Sequence, residues 1–120
     1  MTRVAIAGAA GRMGKTLIEA VTLSEANLKM GLGTVLVDDP AAGVDLGLLA
    51  GISALGIAAV TDLETHCDEF DVLIDFTSRP ATLAHLALCQ AQGKAMVIGT
   101  TGFSDDEKLQ IAEAAKVIPI

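Results

Sequence analysis

The sequence predicts one doubly wound α/β domain, in which a parallel sheet is covered by helices on both faces. Three observations predict it: short apolar runs alternate with helix-start signals, a glycine-rich loop separates the first run from the first helical pattern, and 52% of the 120 residues are hydrophobic. Strands that alternate with helices imply right-handed crossovers and therefore parallel pairing. The length suits a single core and not two.

The first third of the chain predicts a strand, a glycine loop, a helix and a second strand. Arg3–Ala7 is an apolar run that ends at Gly8, as a buried strand does. Apolar residues recur at roughly helical spacing from Lys15 to Leu23, which predicts a helix. Leu28–Val37 predicts a second strand, because it is apolar and is stopped by two acids and Pro40.

The middle of the chain is less regular. Residues 41–58 are rich in Gly and Ala without clear periodicity, and we expect a long loop with some helix. Ala58–Thr61 predicts a short strand, and Thr61 with Glu64 has the form of a capping box that opens a brief helix. Asp71–Phe76 is the clearest strand, being an apolar run with β-branched residues.

The last part continues the alternation. Thr77 or Ser78 predicts an N-cap, Pro80 suits the first helical turn and Gly93 suits the helix end. Ala95–Ile98 predicts the next strand. Residues 104–107 (SDDE) predict a second capping box, for a helix that extends to about residue 116. The apolar run 117–120 carries no stop signal, so we expect the domain, residues 1–120, to be incomplete at its C-terminal edge.

Composition excludes several classes of function. The net charge of −7 and the absence of Trp and Tyr argue against nucleic-acid binding, which needs positive charge and stacking surfaces. The longest uncharged stretch, residues 46–61, is interrupted by glycines and shorter than the roughly 20 residues of a membrane span. The N-terminus lacks the pattern of a signal peptide, so we expect a cytoplasmic protein with no membrane partner.

The sulfur and imidazole side chains predict no metal site. Cys67 and Cys89 have no CxxC spacing, and we expect both to be free, buried thiols. His66 lies beside Cys67 and His85 lies within the predicted 80–92 helix, and neither has metal-ligand spacing. They are predicted to be ordinary histidines.

The segment from Gly8 to Gly14 has GxxGxxG spacing between a strand and a helix, close to the fingerprint of dinucleotide-binding loops. Gly8 permits a tight turn, Gly11 permits close approach of a pyrophosphate, and Gly14 permits close packing of the helix on the strand. The helix N-terminus then offers free N–H groups and a positive dipole end to phosphates.

A second interpretation of the same loop stays open. Residues 9–16 also fit a relaxed Walker pattern, in which Lys15 would hold the terminal phosphates of a nucleotide and Thr16 would hold a magnesium ion. Asp75, at the end of a later apolar run, would then be the acidic residue that also binds the metal ion. Against it, Ala9 stands where that pattern has its first glycine, and the glycines at 8 and 11 are left without a role.

Three segments together are more specific than any motif alone: residues 4–14 (VAIAGAAGRMG), 71–77 (DVLIDFT) and 97–103 (VIGTTGF). In order and spacing they closely resemble the N-terminal domain of the dihydrodipicolinate reductases, also called 4-hydroxy-tetrahydrodipicolinate reductases. The resemblance covers nearly the whole chain. It implies a Rossmann-like fold and an NADPH- or NADH-dependent oxidoreductase, usually a homotetramer, that reduces a cyclic intermediate of diaminopimelate and lysine biosynthesis.

The resemblance also implies which residues bind the cofactor. The glycine loop would wrap the pyrophosphate, and residues 99–101 would line the nicotinamide end of the groove. Members of the family carry an acid and then a base after the second strand, whereas this chain has Asp38 followed by Asp39. A carboxylate accepts from the ribose 2′-OH but repels a 2′-phosphate, so we expect NADH to be slightly favoured over NADPH. The predicted cofactor-binding residues are Gly8, Ala9, Ala10, Gly11, Arg12, Met13, Asp38, Gly99, Thr100 and Thr101.

No catalytic residue is predicted in this chain. By the resemblance, the histidine pair, the lysine and the Ser-Gly-Thr substrate loop belong to a C-terminal domain. We therefore expect these 120 residues to bind a dinucleotide weakly and to turn over nothing, while the full-length protein also binds the small-molecule substrate. Two further classes fit the loop: an extended short-chain dehydrogenase, whose catalytic Tyr this chain lacks, and a non-catalytic ligand-sensing domain of the same fold.

Overall fold

The fold was analysed in a computed structural model that describes all 120 residues. Four parallel strands form one sheet in the order β2-β1-β3-β4. The elements are β1 (Thr2–Ala7), α1 (Arg12–Leu23), β2 (Leu28–Thr34), α2 (Leu46–Leu49), a 3-10 helix (Glu64–Glu69), β3 (Val72–Asp75), α3 (Arg79–Gln92), β4 (Ala95–Ile98) and α4 (Asp105–Ala114). The predicted α/β fold of Rossmann-like type is confirmed.

Side chains of the central strand β1 alternate between two hydrophobic cores. Val4 and Ile6 pack in one core with Ile18 of α1, whereas Ala5 and Ala7 pack in the other with Leu86 of α3. Both faces of the sheet are therefore covered by helices, as the doubly wound prediction requires. Burying both faces leaves the carboxyl ends of the strands as the edge at which a ligand is expected to bind.

Element ends differ from the predicted ones where hydrogen bonding outweighs the apolar pattern. α1 begins at Arg12 and not at Lys15, while β2 ends at Thr34 although the apolar run continues to Val37. The predicted strand 58–61 forms no element; Val60 pairs with Thr34 as a single parallel bridge. The apolar run 117–120 is likewise not a strand, although the Pro119 carbonyl accepts from the N–H of Met96 at 3.0 Å.

Two of the three predicted N-caps are present, and so is the predicted C-terminal glycine of α3. The Ser78 hydroxyl accepts from the N–H of Ala81, and Gly93 ends α3 with a φ of 67°. Ser104 opens α4 with the complete capping box. The capping box predicted at Thr61 is wrong: the 3-10 helix begins at Glu64, and the Asp62 carboxylate takes the capping role by accepting from the N–H of Thr65 at 3.2 Å.

The Asp45 carboxylate organises the loop between β2 and the 3-10 helix. It accepts from five backbone N–H groups, which belong to Gly47, Leu48, Leu55, Gly56 and Ile57. These bonds, the one from Leu55 first, hold the pKa of Asp45 below its ordinary value. A segment without regular periodicity is thus held by one side chain, which also caps the four-residue helix α2.

Both cysteines are free and buried, as predicted. Burial raises the pKa of the Cys89 thiol to about 11, so it is protonated at neutral pH and unreactive as a nucleophile. No helix in the structure has the length and apolar character that a membrane span requires.

An ion pair joins the start of β1 to the start of β3 and predicts a specific pH dependence. The Arg3 guanidinium lies 3.1 Å from Asp71 Oδ1, and the Arg3 N–H donates to Asp71 Oδ2 at 2.8 Å. The Arg3 side-chain hydrogen bond is the main reason that the pKa of Asp71 falls to about 2. The pKa of Asp71 is therefore lower in the folded state than in the unfolded state, where it is about 3.9. The ionised carboxylate stabilises the fold above about pH 4, and this contribution is lost as the pH falls toward 2.

Asp71→Asn is therefore expected to lower the denaturation midpoint at pH 6 and to have a smaller effect near pH 2.5, where wild type has lost most of the same contribution. Urea denaturation at the two pH values measures this difference. Glu19→Gln, at an exposed acid on α1 with no ion-pair partner, is the matched control and should change neither midpoint. Equal effects of Asp71→Asn at both pH values would contradict the assignment.

Candidate cofactor-binding site

A cavity of about 530 Å³ lies at the carboxyl ends of β1, β2 and β3. Its walls are the glycine loop after β1, residues 34–37 and Asp39 after β2, residues 76–78 after β3, and side chains from the 3-10 helix region and α3. β1 connects to β2 on one side and the chain then crosses to β3 on the other, so the cavity occupies the topological switch point of the sheet. Open α/β sheets bind their ligands at this point.

The glycine loop turns tightly between β1 and α1. Gly8 has a φ of 81°, which favours glycine. The N–H groups of Gly8 and Ala9 both donate to the Thr34 carbonyl, at 3.1 and 2.9 Å. A Cβ built on Gly14 would lie 2.1 Å from the Gly8 carbonyl oxygen, so α1 packs directly against the loop. The first and third glycines are thus required by the fold itself.

The N-terminus of α1 presents unpaired donors. Gly11 is the N-cap residue and supplies no side-chain cap. The first intrahelical bond comes from the N–H of Lys15 to the Gly11 carbonyl, so the N–H groups of Arg12 and Met13 have no acceptor within the chain. Free N–H groups and the positive end of the helix dipole attract an anion such as a diphosphate.

The residues predicted in the glycine loop divide into two groups. Gly8, Ala10 and Gly11 line the cavity. Ala9 is fully buried in the core against α1, and Arg12 and Met13 are exposed and do not line the cavity. Ala9, Arg12 and Met13 can therefore contribute to this site through their backbone groups and through the shape of the loop. Their side chains do not form part of the cavity wall.

The segment Gly99–Thr101 lies at the same edge of the sheet but outside the lining of this cavity. The Phe76 ring covers Gly99 so closely that a Cβ there would lie 2.1 Å from it. The Thr100 hydroxyl accepts from the N–H of Thr77 at 3.1 Å and from the Thr82 hydroxyl at 2.8 Å. Thr100 thus ties the end of β4 to the end of β3, and Phe76 separates the two parts of the edge.

The structure places Asp39, and not Asp38, in the cavity wall. Asp38 borders a more open neighbouring depression of similar volume, which residues 36, 37, 39 and 40 also line. The Asp39 carboxylate accepts from the N–H of Ala41 at 2.8 Å and thereby shapes the turn. No Lys or Arg lines the cavity. Strand alternation gives no guide to side-chain direction here, because β2 ends at Thr34.

Sequence reasoning missed a buried polar network at the end of β3. The Asp75 carboxylate is fully buried and accepts from the N–H and hydroxyl of Thr77 and lies 2.6 Å from Nδ1 of His85. Thr82 and His85 are three residues apart in α3, so they lie on the same face of the helix. This spacing is the one signal in the sequence that could have pointed to the network. His85 also lines the cavity.

The residues of the Walker interpretation do not converge. Lys15 and Thr16 are exposed on α1 and absent from the cavity wall, and the Thr16 hydroxyl donates to the Arg12 carbonyl at 3.0 Å. Asp75, the suggested second acid, has its carboxylate occupied by Thr77 and His85. This geometry gives a triphosphate and its metal ion no assembled set of side chains.

Comparison with known proteins agrees with this geometry. Residues 2–120 match the family described as dihydrodipicolinate reductase, N-terminus. A 4-hydroxy-tetrahydrodipicolinate reductase of Hahella chejuensis is 52% identical over 120 residues, which is 100% of this chain and 45% of the relative. The corresponding reductase of Saccharophagus degradans is 51% identical over 118 residues, which is 98% of this chain and 44% of the relative. The chain spans less than half the length of these curated relatives.

Solved structures give the same result. A dipicolinate-bound dihydrodipicolinate reductase from Paenisporosarcina sp. TG-14 superposes with a TM-score of 0.71 at 30% identity, over 98% of this chain and 44% of that one. An aspartate semialdehyde dehydrogenase from Vibrio cholerae has a TM-score of 0.71 at 16% identity over 98% of this chain and 36% of that one, which shows a shared fold alone. With the family matched over residues 2–120, this chain belongs to the dihydrodipicolinate reductase N-terminal family.

Proposed function

We propose that residues 1–120 are the NAD(P)H-binding domain of a reductase that converts 4-hydroxy-tetrahydrodipicolinate to tetrahydrodipicolinate in diaminopimelate and lysine biosynthesis. One observation carries the proposal: the N–H groups at the start of α1 are unpaired and directly follow Gly11, which lines the switch-point cavity, in a loop whose first glycine has a positive φ and whose third has no room for a side chain. In a chain of this family, such a site suits the diphosphate of a pyridine dinucleotide.

In this proposal the dinucleotide lies across the carboxyl ends of the strands. The loop from Gly8 to Gly11 wraps the diphosphate, and the N–H groups of Arg12 and Met13 donate to its oxygens. The adenosine half enters the cavity beside residues 34–39. The nicotinamide half extends past Phe76 toward Gly99, Thr100 and Thr101, which follow β4 as the glycine loop follows β1.

The bound nicotinamide supplies a hydride to the substrate's unsaturated imine. The residues of this chain hold the coenzyme and fix its position, because a displacement of about 1 Å can cost on the order of a hundredfold in rate. Phe76 and the Thr77–Thr100 bond fix the surface past which the nicotinamide half extends. We assign no proton donor to this chain; the substrate-binding and proton-donating groups belong to the part of the reductase outside these residues.

The acidic turn after β2 supports a modest preference for NADH. Asp38 remains the proposed partner of the ribose 2′-OH, and Asp39 adds a second carboxylate within the cavity wall. A 2′-phosphate placed beside these carboxylates would be repelled, and no Lys or Arg of the wall compensates. The Arg12 side chain lies outside the cavity lining.

Calorimetric titration of the chain with NADH, NADPH and Mg-ATP tests the function directly. We expect weak binding of both dinucleotides, tighter for NADH, and no heat from Mg-ATP. Lys15→Ala should leave dinucleotide binding nearly unchanged, because Lys15 does not line the cavity. Mg-ATP binding that Lys15→Ala abolishes would support a phosphoryl-transfer enzyme instead. Tighter binding of NADPH than of NADH would contradict the role given to Asp38 and would leave the dinucleotide-binding function standing.

We further propose that the full-length reductase is a cytoplasmic homotetramer. The family resemblance supports this, since members are usually tetramers of one chain. Analytical ultracentrifugation of the full-length protein tests the assembly, and a monomer at micromolar concentration would contradict it.

A further inference from the structure

His85 is held in one orientation by a buried carboxylate. Its Nδ1 lies 2.6 Å from Asp75 Oδ2, and Asp75, the last residue of β3, is fully buried. The other carboxylate oxygen accepts from the N–H of Thr77 at 3.0 Å and from its hydroxyl. Because both oxygens are occupied, Asp75 is fixed, and the imidazole ring is fixed with it.

The hydrogen bond to Asp75 determines which ring nitrogen is available. An ionised carboxylate only accepts, so Nδ1 carries the proton, and in the neutral ring Nε2 is left as an acceptor. Nε2 has no hydrogen-bond partner within the chain, whereas every buried side-chain nitrogen and oxygen has one. Nε2 is therefore accessible from outside. The bond between His85 and Asp75 ties α3 to β3, but that structural role does not explain why His85 also lines the cavity.

The cavity wall places His85 on the adenosine side of the proposed dinucleotide. His85 lines the cavity together with the residues after β2, residues 76–78 after β3, and Thr61, Leu63 and Ala81. The residues after β4, on the nicotinamide side, line no part of it. The glycine loop, where the diphosphate would bind, lies between the two sides. His85 thus faces the half of the ligand that ends in the purine base.

We propose that His85 recognises the adenine base, with Nε2 accepting a hydrogen bond from the exocyclic amino group, and that Asp75 is the positioning residue that holds the ring for this contact. The inference rests on the proposed dinucleotide-binding function and adds a specificity determinant to it. A purine with a carbonyl in place of the amino group would bring an acceptor against an acceptor and leave both unpaired. The cavity should therefore distinguish adenine from hypoxanthine.

NADH and deamino-NADH, in which hypoxanthine replaces adenine, provide the test, because they differ only at the 6-position that His85 would contact and at the adjacent N1, which carries a proton in hypoxanthine. By calorimetry, the wild-type chain should bind NADH roughly three- to tenfold more tightly than deamino-NADH, the ratio expected for one hydrogen bond. His85→Ala should weaken NADH binding and bring the ratio close to one. His85→Gln, whose side-chain oxygen also accepts, should restore part of the preference.

His66→Ala is the matched control. His66 pairs with Glu69 and Asp62 and does not line the cavity, so its removal should leave the ratio unchanged. A wild-type ratio of one, or a preference that persists in His85→Ala, overturns the inference while NADH binding stands. If His85→Ala does not fold, the wild-type ratio and His85→Gln still decide. Absence of binding by either dinucleotide to wild type overturns the proposed function together with this inference.

Discussion

Gly14→Ala is expected to lower the Tm of the chain by at least about 10 °C. The added methyl carbon would lie 2.1 Å from the Gly8 carbonyl oxygen and 2.9 Å from the Ala9 Cα. Both neighbours are backbone atoms of a loop that is itself fixed by two hydrogen bonds to Thr34, so no side-chain rotation relieves the contact. α1 must move away from the sheet, and the core around Ile18 opens with it.

The higher helix propensity of alanine opposes this loss of stability, but its contribution is smaller. Alanine is favoured over glycine within a helix by about 1 kcal/mol, whereas overpacking a well-packed site costs about 1–3 kcal/mol and occasionally more. Because the neighbouring backbone atoms cannot move aside, we expect the overpacking cost at Gly14 to lie at the upper end of this range. Such a cost is a large share of the roughly 5–15 kcal/mol by which an ordinary domain is stable. Thermal unfolding followed by circular dichroism measures the shift. A Tm equal to that of wild type would contradict the close packing of α1 on the glycine loop.

Local signals in the sequence predict the fold well, because each is satisfied within a few residues. The apolar run of β3, the Ser78 cap, Gly93 with its positive φ and the Ser104–Glu107 capping box all depend on neighbouring residues. Where the apolar pattern and the hydrogen bonds disagree, as at residues 35–37, the pattern extends the strand too far. At Thr61 the residue type fits a cap, but the adjacent Asp62 has the required position.

The part of the cavity lining that the sequence predicts is the part that the backbone conformation determines. Gly8 is predicted because a tight turn before a helix requires glycine, and Gly11 is predicted from the GxxGxxG spacing, which the sequence displays directly. The choice between Asp38 and Asp39 depends on how an irregular turn folds, and neighbouring acids look equivalent in the sequence. The Asp75–His85 contact joins a strand end to a helix ten residues later, and nothing in either segment alone marks the pair.

The glycine loop contains two glycines that the fold requires and one, Gly11, that it does not. Gly8 needs its positive φ and Gly14 has no room for a side chain. Gly11 has an ordinary φ of −75°, and a Cβ there would meet its nearest neighbour, the Gly8 carbonyl oxygen, at 3.4 Å. The fold therefore tolerates alanine at this position. We infer that the absence of a side chain at Gly11 leaves room for the proposed diphosphate in the cavity.

Gly11→Ala is accordingly expected to fold like wild type and to lose dinucleotide binding by at least about tenfold. The methyl group would project from the cavity wall beside the unpaired N–H groups of Arg12 and Met13. A diphosphate would then be kept from hydrogen-bonding distance, and its attraction to the helix N-terminus would weaken with the separation. Stability should change by no more than about 1 kcal/mol, because the substitution affects only an N-cap that has no side-chain bond.

Calorimetric titration with NADH and a thermal unfolding curve on the same Gly11→Ala sample measure the two effects. Lys15→Ala, four residues along α1 and outside the cavity wall, controls for general changes to the helix and should leave binding nearly intact. Gly14→Ala should show the reverse of Gly11→Ala, a large loss of stability. If Gly11→Ala binds NADH as wild type does while Lys15→Ala binds poorly, the phosphates lie along α1 and not at the loop, and the assignment of the cavity to a pyridine dinucleotide is wrong.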